Sequence, residues 1–197
     1  LMEIVPVPSA IDAPLAAKVP SIVIDQYHGS QLATEHLIAG GHRHMCEISG
    51  PLSWHGAQAR HQAWLDTLQL AELEPGLSIE GDWSAQSGYA AVHELIAARA
   101  DFTALVVGND QMALGAMRAL REHGLHIPRD ISVVGFDDIP EAAYFEPPLT
   151  TIHQNFAALG DQSVEYLTAL IENPETPPHQ RVLYPHLVER ASTRSVT

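Results

Sequence analysis

The chain has 197 residues, of which 46% are hydrophobic and 17% are charged, a composition typical of a globular protein with a sizeable core. Its formal net charge is −14, from 10 Lys and Arg residues against 24 Asp and Glu residues. Because so acidic a surface repels phosphate backbones, these residues are not expected to bind nucleic acid themselves.

The termini and the cysteine content narrow the class of protein further. The chain starts at Leu1, and no start-like segment precedes its first hydrophobic run, so we expect a piece of a longer protein. No run approaches the ~18 apolar residues that a membrane span requires. The single cysteine, Cys46, lies in an apolar run, which excludes an internal disulfide and a cysteine-based metal site.

Short apolar runs alternate along the chain with longer segments of helical period. The predicted strands are 20–24, 44–49, 77–81, 103–107 and 131–136, and the helices between them are Ser30–Ala39, Ala57–Leu70, Ala85–Ala98 and Asp110–His123. A long helix is predicted over 156–173, and one or two closing strands over 181–190. This alternation predicts an α/β fold, with a parallel sheet covered by helices on both faces.

Polar side chains follow every predicted strand of the sheet. They are Asp25, Ser49 before Gly50-Pro51, Asp82 with Trp83, Asn109 with Asp110, and Asp137 with Asp138. In open parallel sheets, ligands bind outside the carboxyl ends of the strands. The same residue types are also the preferred helix N-caps, so any one of them has a structural explanation as well.

Two of these strand ends carry more than capping requires. Trp83 is a large aromatic that caps nothing, and Asp137-Asp138 doubles the carboxylates where one would suffice. An aromatic ring with several carboxylates and amides suits a neutral polyhydroxylated ligand. A phosphate ligand is not favoured, because neither a P-loop nor a GxGxxG turn occurs. Adjacent residues of an extended segment point opposite ways, so Asp137 and Asp138 are not expected to share one substrate atom.

Other motifs give little support for metal or enzyme chemistry. His42 and His44 have no Cys, Asp or Glu at metal-ligand spacing and are predicted to form a polar loop entering a strand. The sequence Gly-x-Ser-x-Gly does not occur, and no placed acid/base pair is found. We therefore predict neither a catalytic residue, a metal site nor a cofactor.

Six segments resemble the lactose-repressor family of bacterial transcription regulators, and the resemblance covers essentially the whole chain. They are EHLIAGGHRH (35–44), SGPLS (49–53), EGDWSAQSGY (80–89), GNDQMALGAMRAL (108–120), DISVVGFDD (130–138) and PPLTTIHQNF (147–156). The resemblance implies a periplasmic-binding-protein-like fold with two Rossmann-like lobes of parallel sheet, the first lobe incomplete in this chain. Residues 1–25 would be a remnant of the first lobe, 26–153 the second lobe, 154–183 a return into the first lobe, and 184–197 the last strand and tail of the second lobe.

The resemblance also implies a set of ligand-binding residues. Arg60 matches an arginine that donates to sugar hydroxyls, and Trp83 an aromatic against which the sugar ring packs. The other implied positions are Asn109 and Asp137, which hold ring hydroxyls, Gln154 and Phe156 on the hinge side, and, on a looser match, Asp12 and Ile24. The sequence departs from the family in the loop before the arginine, where Gly56 stands in place of Ser, with Trp54 and His55 nearby.

The function implied is that of an effector-binding domain in a cytoplasmic DNA-binding repressor. A sugar, with galactosides among the candidates, would rearrange the lobes and so control operator binding by an N-terminal helix-turn-helix that is absent from this sequence. A homodimer is implied near Ser84–Gly88, Leu114–Arg121 and Tyr144–Phe145. The alternative is a periplasmic sugar-binding protein of a transport system.

Two finer expectations concern local structure. Residues 1–20 are expected to pack poorly, because we identify no sheet partners for them in the sequence. At the end of the fourth predicted strand, Asp110 is predicted to be the helix N-cap, while Asn109 faces the cleft.

Overall fold

A computed structural model describes residues 20–173 and 179–196. In chain order its elements are β1 (Ser21–Ile24), α1 (Gln26–Ala39), β2 (Met45–Ser49), α2 (His55–Leu70), β3 (Ser78–Glu80), α3 (Ala85–Ala97), β4 (Ala104–Val107), α4 (Asp110–Glu122), β5 (Ser132–Asp137), a 3-10 helix (Pro140–Tyr144), β6 (Thr150–His153), α5 (Phe156–Glu172), β7 (Gln180–Leu183) and β8 (His186–Val188). The predicted Asp12 and, apart from Pro20, the segment 1–20 lie outside the described residues.

The strands form two separate sheets. The larger sheet has the order β3-β2-β4-β5-β6-β8, and all its neighbouring strands are parallel except the last pair, in which β8 runs antiparallel to β6. The smaller sheet is the parallel pair β1 and β7. The predicted α/β fold with parallel sheets is confirmed.

Both faces of the larger sheet are buried. In β4, Leu105 and Val107 face a core shared with α3 and α4, whereas Ala104 and Val106 face a core that includes Trp64 of α2 and residues of α1. Alternate residues of a strand point to opposite faces, so its continuous apolar sequence supplies two cores at once.

The smaller sheet has its own apolar cluster. Ile22 and Ile24 of β1 pack with Leu159, Tyr166 and Leu170 of α5. This cluster holds β1 against α5, so that the end of the strand and the start of the helix border one side of a cleft. None of the helices in the described segments is long and apolar enough to cross a membrane.

The largest differences from the prediction are one helix start and one strand, while the other boundaries agree within about two residues. Helix α1 begins at Gln26, four residues earlier than predicted, because the Asp25 carboxylate accepts a hydrogen bond from the backbone N–H of His28 and caps the helix there. Strand β6 is an element that the hydrophobic pattern does not predict. Its residues Thr150 and Thr151 are polar but completely buried, and they are satisfied by side chains from Thr193 and Asp110.

Candidate functional site

A cleft of about 260 Å³ lies at the carboxyl edge of the larger sheet and is bordered by β1 and α5. Seven of the predicted positions line it: Ile24, Arg60, Trp83, Asn109, Asp137, Gln154 and Phe156. Strands β4 and β5, the crossing after β6 and helix α2 bring these residues together from distant parts of the sequence. Their role in binding stays a prediction, whereas their meeting in one cleft is a structural observation.

Four polar side chains of the cleft form a ring. Arg60 Nε donates to Gln26 Oε1 at 2.9 Å, and Gln26 Nε2 donates to Gln154 Oε1 at 2.7 Å. Gln154 Nε2 then donates to Asp137 Oδ1 at 2.6 Å. The ring closes through an ion pair of 3.7 Å between Asp137 Oδ1 and Arg60 Nη2. Each member therefore fixes the orientation of the next.

Arg60 is held on several sides. Its Cζ atom lies 3.7 Å from the centroid of the Phe136 ring and 5.5 Å from that of Trp83. Its Nη1 atom donates to the Gly108 carbonyl oxygen at the end of β4. Stacking on an aromatic face suits the planar guanidinium and fixes its plane.

Asp137 is the carboxylate of the ring. Burial raises its pKa above the ordinary value, and the nearby Arg60 charge and the Gln154 hydrogen bond partly offset that rise. The next residue, Asp138, points away and contacts Arg190 Nη2 at 2.6 Å and His153 Nδ1 at 2.9 Å. The predicted divergence of the two side chains is thus observed, although both residues have positive φ, 114° and 56°.

The predicted roles of Asn109 and Asp110 need correction. Asn109 is the N-cap of α4, because its Oδ1 atom accepts from the backbone N–H of Met112 at 2.8 Å. Its Nδ2 atom donates to the Trp83 carbonyl oxygen at 3.1 Å. Asn109 lines the cleft and caps the helix at once, so the prediction that Asp110 supplies the cap was wrong.

Asp110 is instead a fully buried structural residue. Its Oδ1 atom accepts from Thr151 Oγ1 at 2.6 Å and its Oδ2 atom accepts from the backbone N–H of Ile139 at 2.9 Å. Burial raises the pKa of this carboxyl to about 7, with Asp137 and Asp138 adding repulsion and the two hydrogen bonds opposing the rise. Asp110 thereby ties the start of α4 to β6 and to the segment after β5.

The Trp83 side chain lies against the β2–α2 loop. A Cβ atom at Gly50 would overlap the Trp83 ring, so that position tolerates no side chain while the indole stays where it is. The backbone of Trp83 has a φ of 73°, in the left-handed region that large residues rarely adopt. The hydrogen bond from Asn109 to its carbonyl oxygen supports this conformation.

A partly buried hydrogen bond joins helix α2 to strand β2. His61 Nδ1 lies 2.5 Å from Glu47 Oε2, and Ser78 Oγ donates to the same carboxylate oxygen at 2.6 Å. The hydrogen bond to Glu47 raises the pKa of His61, against an opposing effect of burial. His61 directly follows Arg60 on α2, so this pair anchors the helix turn that carries the cleft arginine.

Sequence reasoning missed several residues of the cleft. Gln26, Trp54, Ala57 and Leu159 also line it, together with Gly56, which stands out in the sequence only as a departure from the family pattern. Gln26 has a signal in the sequence, since it directly follows the strand end at Asp25, but the neighbouring carboxylate is the stronger one. Leu159 carries no signal, because an apolar residue on an amphipathic helix looks like any core residue.

The two histidines of the HRH segment have different surroundings. His42 is buried, and its ring nitrogens contact Thr103 Oγ1 at 2.9 Å and the Arg194 carbonyl oxygen at 3.1 Å. His44 is exposed and its Nδ1 atom lies 3.5 Å from an Asp101 carboxylate oxygen. Within residues 20–173 and 179–196, no group of three or more His, Cys, Asp or Glu residues is placed to hold a metal ion.

Comparison with known proteins places this architecture in a family. The family model of the periplasmic binding protein-like domain matches residues 34–193. The lactose operon repressor of Escherichia coli (strain K12) is 42% identical over 173 residues, which cover 88% of this chain and 48% of the repressor. The chain thus spans about half the length of the curated relatives it matches.

Solved structures agree with this result. A dimeric Lac repressor with an 11-residue C-terminal deletion superimposes with a TM-score of 0.90 at 38% identity, over 95% of this chain and 68% of that one. The transcriptional regulator CelR in its cellobiose complex superimposes with a TM-score of 0.87 at 34% identity, over 92% of this chain and 57% of that one.

Proposed function

The chain belongs to the periplasmic binding protein-like domain family, within the lactose-repressor group, and we propose that it is the effector-binding core of such a transcription regulator. Its effector is a neutral sugar. The observation that carries the proposal is the ring of Arg60, Gln26, Gln154 and Asp137, which offers donors and acceptors beside the Trp83 indole in one cleft.

Each side chain of the cleft has a proposed role in sugar binding that follows from its chemistry. Arg60 supplies donors for sugar oxygens, and Asp137 accepts from a sugar hydroxyl. Gln26 orients Arg60 and Gln154 through its amide. Trp83 and Phe156 cover the C–H faces of the ring, because an aromatic face packs well on apolar C–H groups. Asn109 contributes chiefly by holding Trp83, since both ends of its amide are already hydrogen-bonded. Ile24, and Asp12 by family resemblance alone, complete the proposed set.

The lone ion pair of the cleft indicates an uncharged ligand. Arg60 and Asp137 are the charged side chains among the described residues that line it, and they already neutralise each other across 3.7 Å. A phosphate would meet the Asp137 carboxylate, and a free amine would meet the Arg60 guanidinium. Hydroxyl groups satisfy both, because each can donate and accept.

The presence of two separate sheets supports the proposed division into two lobes. Residues 1–25 and 154–183 belong to the first lobe in this proposal, and residues 26–153 and 184–197 to the second. The ligand bridges them, since Ile24 and Phe156 border the same cleft as Trp83 and Asp137. A ligand shifts the orientation of two lobes only by its differential affinity for the two arrangements. Sugar binding would thus control operator binding by an N-terminal helix-turn-helix of the whole protein.

The surface of α3 and α4 is the proposed dimer interface. A groove of about 470 Å³ there is lined by Ala85, Gln86, Tyr89, Leu114, Gly115 and Arg118, and the Leu114 side chain is about half exposed. The exposed Tyr144 lies in the third implied segment. A cytoplasmic homodimer that contacts DNA through its N-terminal domains is the assembly we propose.

Two other functions receive less support. A periplasmic sugar-binding protein of a transport system shares the fold, but the matching relatives are transcriptional repressors. A glycosidase requires two carboxyl groups flanking the bond to be cleaved. Asp137 is the one carboxylate among the described residues that line the cleft, which supports a binding role rather than catalysis.

Titration with neutral sugars tests the proposal. Galactosides, glucosides and pentoses are added to the chain while tryptophan fluorescence and heat of binding are recorded. At least one of them is expected to bind and to change the emission of Trp83, whereas operator-length DNA is expected to give no mobility shift with this acidic chain. Failure of every neutral sugar to bind, with a charged metabolite binding instead, would reject the sugar-effector proposal.

A further inference from the structure

Trp54 occupies a position where its side chain contributes little to the fold. It is the N-cap of α2, a position where Ser, Thr, Asp and Asn are preferred because their side chains accept a backbone hydrogen bond. Trp54 makes no such bond, and its side chain is 50% exposed at the cleft. This exposed indole makes no cap bond and lines the same cleft as Trp83, which points to a contact with a ligand.

The loop before α2 is held without the indole. The backbone N–H of Leu52 donates to Glu80 Oε1 at 3.0 Å, and Gln58 Nε2 donates to the Leu52 carbonyl oxygen at 2.7 Å. The backbone N–H of Trp54 donates to the Pro51 carbonyl oxygen at 3.0 Å. These bonds define the loop conformation, so the Trp54 side chain is available for another contact.

The indole rings of Trp54 and Trp83 meet at a steep angle and together form what we call the aromatic corner. Their ring centroids are 6.3 Å apart and their planes meet at 78°. Trp83 lies next to the polar ring, with Arg60 Cζ 5.5 Å from its centroid, whereas Trp54 lies at the exposed end. One wall therefore belongs to the polar part of the cleft and the other to its mouth.

We propose that Trp54 is the platform of an outer subsite, which selects glycosides with a second ring over free monosaccharides. The proposal rests on the sugar-binding function of the cleft and names its ligand class. The inner sugar contacts Trp83, Arg60 and Asp137, and the outer sugar or aryl group packs its C–H or π face on Trp54. The outer group is uncharged in this proposal, because Arg60 and Asp137, the charged side chains among the described lining residues, already pair with each other.

Paired ligands test the outer subsite. Glucose and galactose are each compared with the disaccharide that carries that sugar at its non-reducing end, cellobiose and lactose, by calorimetry on the unmodified chain and on Trp54→Ala. The disaccharide of the preferred pair is expected to lose roughly five- to tenfold in affinity in Trp54→Ala, the range expected for losing one aromatic contact. The matching monosaccharide is expected to keep its affinity within about twofold.

Two further variants separate this role from a general effect on folding. Trp54→Phe keeps an aromatic face and is expected to restore most of the disaccharide affinity. Tyr184→Ala removes another exposed aromatic side chain, one that does not line the cleft. It is expected to leave the affinity for both the disaccharide and the monosaccharide unchanged. Melting temperatures of all variants report any loss of fold.

The possible outcomes are distinct. Loss of disaccharide affinity alone supports the outer subsite. Equal loss for both members of a pair, or no loss for either, overturns it and leaves the sugar-binding proposal standing. Absence of binding by every sugar to the unmodified chain overturns the proposed function and the outer subsite together.

Discussion

Asp110 and Asp137 are carboxylates at the ends of the adjacent strands β4 and β5, yet their environments differ in kind. Asp110 is completely buried, and two donors from β6 and from the segment after β5 occupy its oxygens. Asp137 retains 21% of its side-chain exposure and shares its contacts with Gln154 and Arg60 at the cleft. The same strand edge thus supplies one carboxylate to the interior of the fold and another to the cleft.

The difference arises from the position of each carboxylate relative to the end of its strand and the start of the next helix. Asn109 ends the extended segment and caps α4, so Asp110 lies in the first turn of the helix and its side chain is buried. Asp137 remains the last residue of β5, and its side chain stays at the cleft. A polar residue at a strand end is therefore informative about function only when its position relative to the helix start is known.

The largest expected effect is on the pH dependence of stability. The pKa of Asp110 is about 7 in the folded chain and 3.8 without burial. Between these values the folded state binds more protons than the unfolded state, so the free energy of unfolding should fall as pH rises from about 4 to about 7. The loss would be about 4 kcal/mol for a shift of this size.

The matched control for this prediction is Asp110→Asn, which imitates the protonated carboxyl. Urea denaturation of both proteins between about pH 4 and pH 8 gives the comparison. The variant should lack this component of the pH dependence and be the more stable of the two at the alkaline end. Parallel curves for the two proteins would refute the role assigned to Asp110.

Removal of the Asp110 side chain should be the next largest effect. In Asp110→Ala, the Ile139 N–H and the Thr151 hydroxyl lose their buried acceptor, which should cost about 2–3 kcal/mol in mildly acidic buffer. Denaturant unfolding measures this cost. Thr151→Val, which removes one partner only, should cost less, and a midpoint equal to that of the unmodified chain would contradict the structural role.

Asp137→Asn should reduce sugar affinity rather than stability, the opposite of the effect expected at Asp110. Loss of a hydrogen bond to a charged group should weaken sugar binding roughly 10- to 100-fold, about 1.5–3 kcal/mol. The melting temperature should hold or rise, because the carboxylate is costly to bury. Calorimetry with the best-binding sugar and a thermal melt make the measurement. A lower melting temperature with unchanged affinity would show that Asp137, like Asp110, serves the fold.

The smallest effect is expected at Asn109, which combines both roles. Asn109→Ala should cost about 1 kcal/mol of stability through the lost cap. Asn109→Asp keeps the cap acceptor but cannot donate to the Trp83 carbonyl oxygen, so it should keep more stability while altering Trp83 fluorescence and sugar affinity. Identical behaviour of the two variants would indicate that the Trp83 contact has no separate importance.

The sequence predicted the architecture well where hydrophobic periodicity was strong. Strands β1, β4 and β5 follow from short runs of Val and Ile, and helix α4 from its amphipathic pattern. Strand β6 was missed because Thr150 and Thr151 look exposed in the sequence, and only tertiary partners satisfy their hydroxyls. Local pattern carries no information about a partner that lies 41 residues away.

The site was predicted better by resemblance than by pattern alone. Seven of the eight expected positions line the cleft, but Gln26 was overlooked beside Asp25. Gly56 stood out only as a departure from the family pattern, and Trp54 only as a residue near it. The exchange of roles between Asn109 and Asp110 could not be foreseen, because both are good caps and the choice depends on where the helix starts.

The ring of Arg60, Gln26, Gln154 and Asp137 gives the cleft a defined order. Its hydrogen bonds all run in one sense, from the guanidinium through two amides to the carboxylate, and Gln26 and Gln154 are 128 residues apart in sequence. Four side chains thus have their rotamers fixed before a ligand arrives. A sugar whose hydroxyls replace these bonds meets side chains that are already ordered, which avoids an ordering cost of ~0.5–1.5 kcal/mol per side chain. A sugar that displaces one of these bonds but lacks the matching hydroxyl forms no new bond in its place.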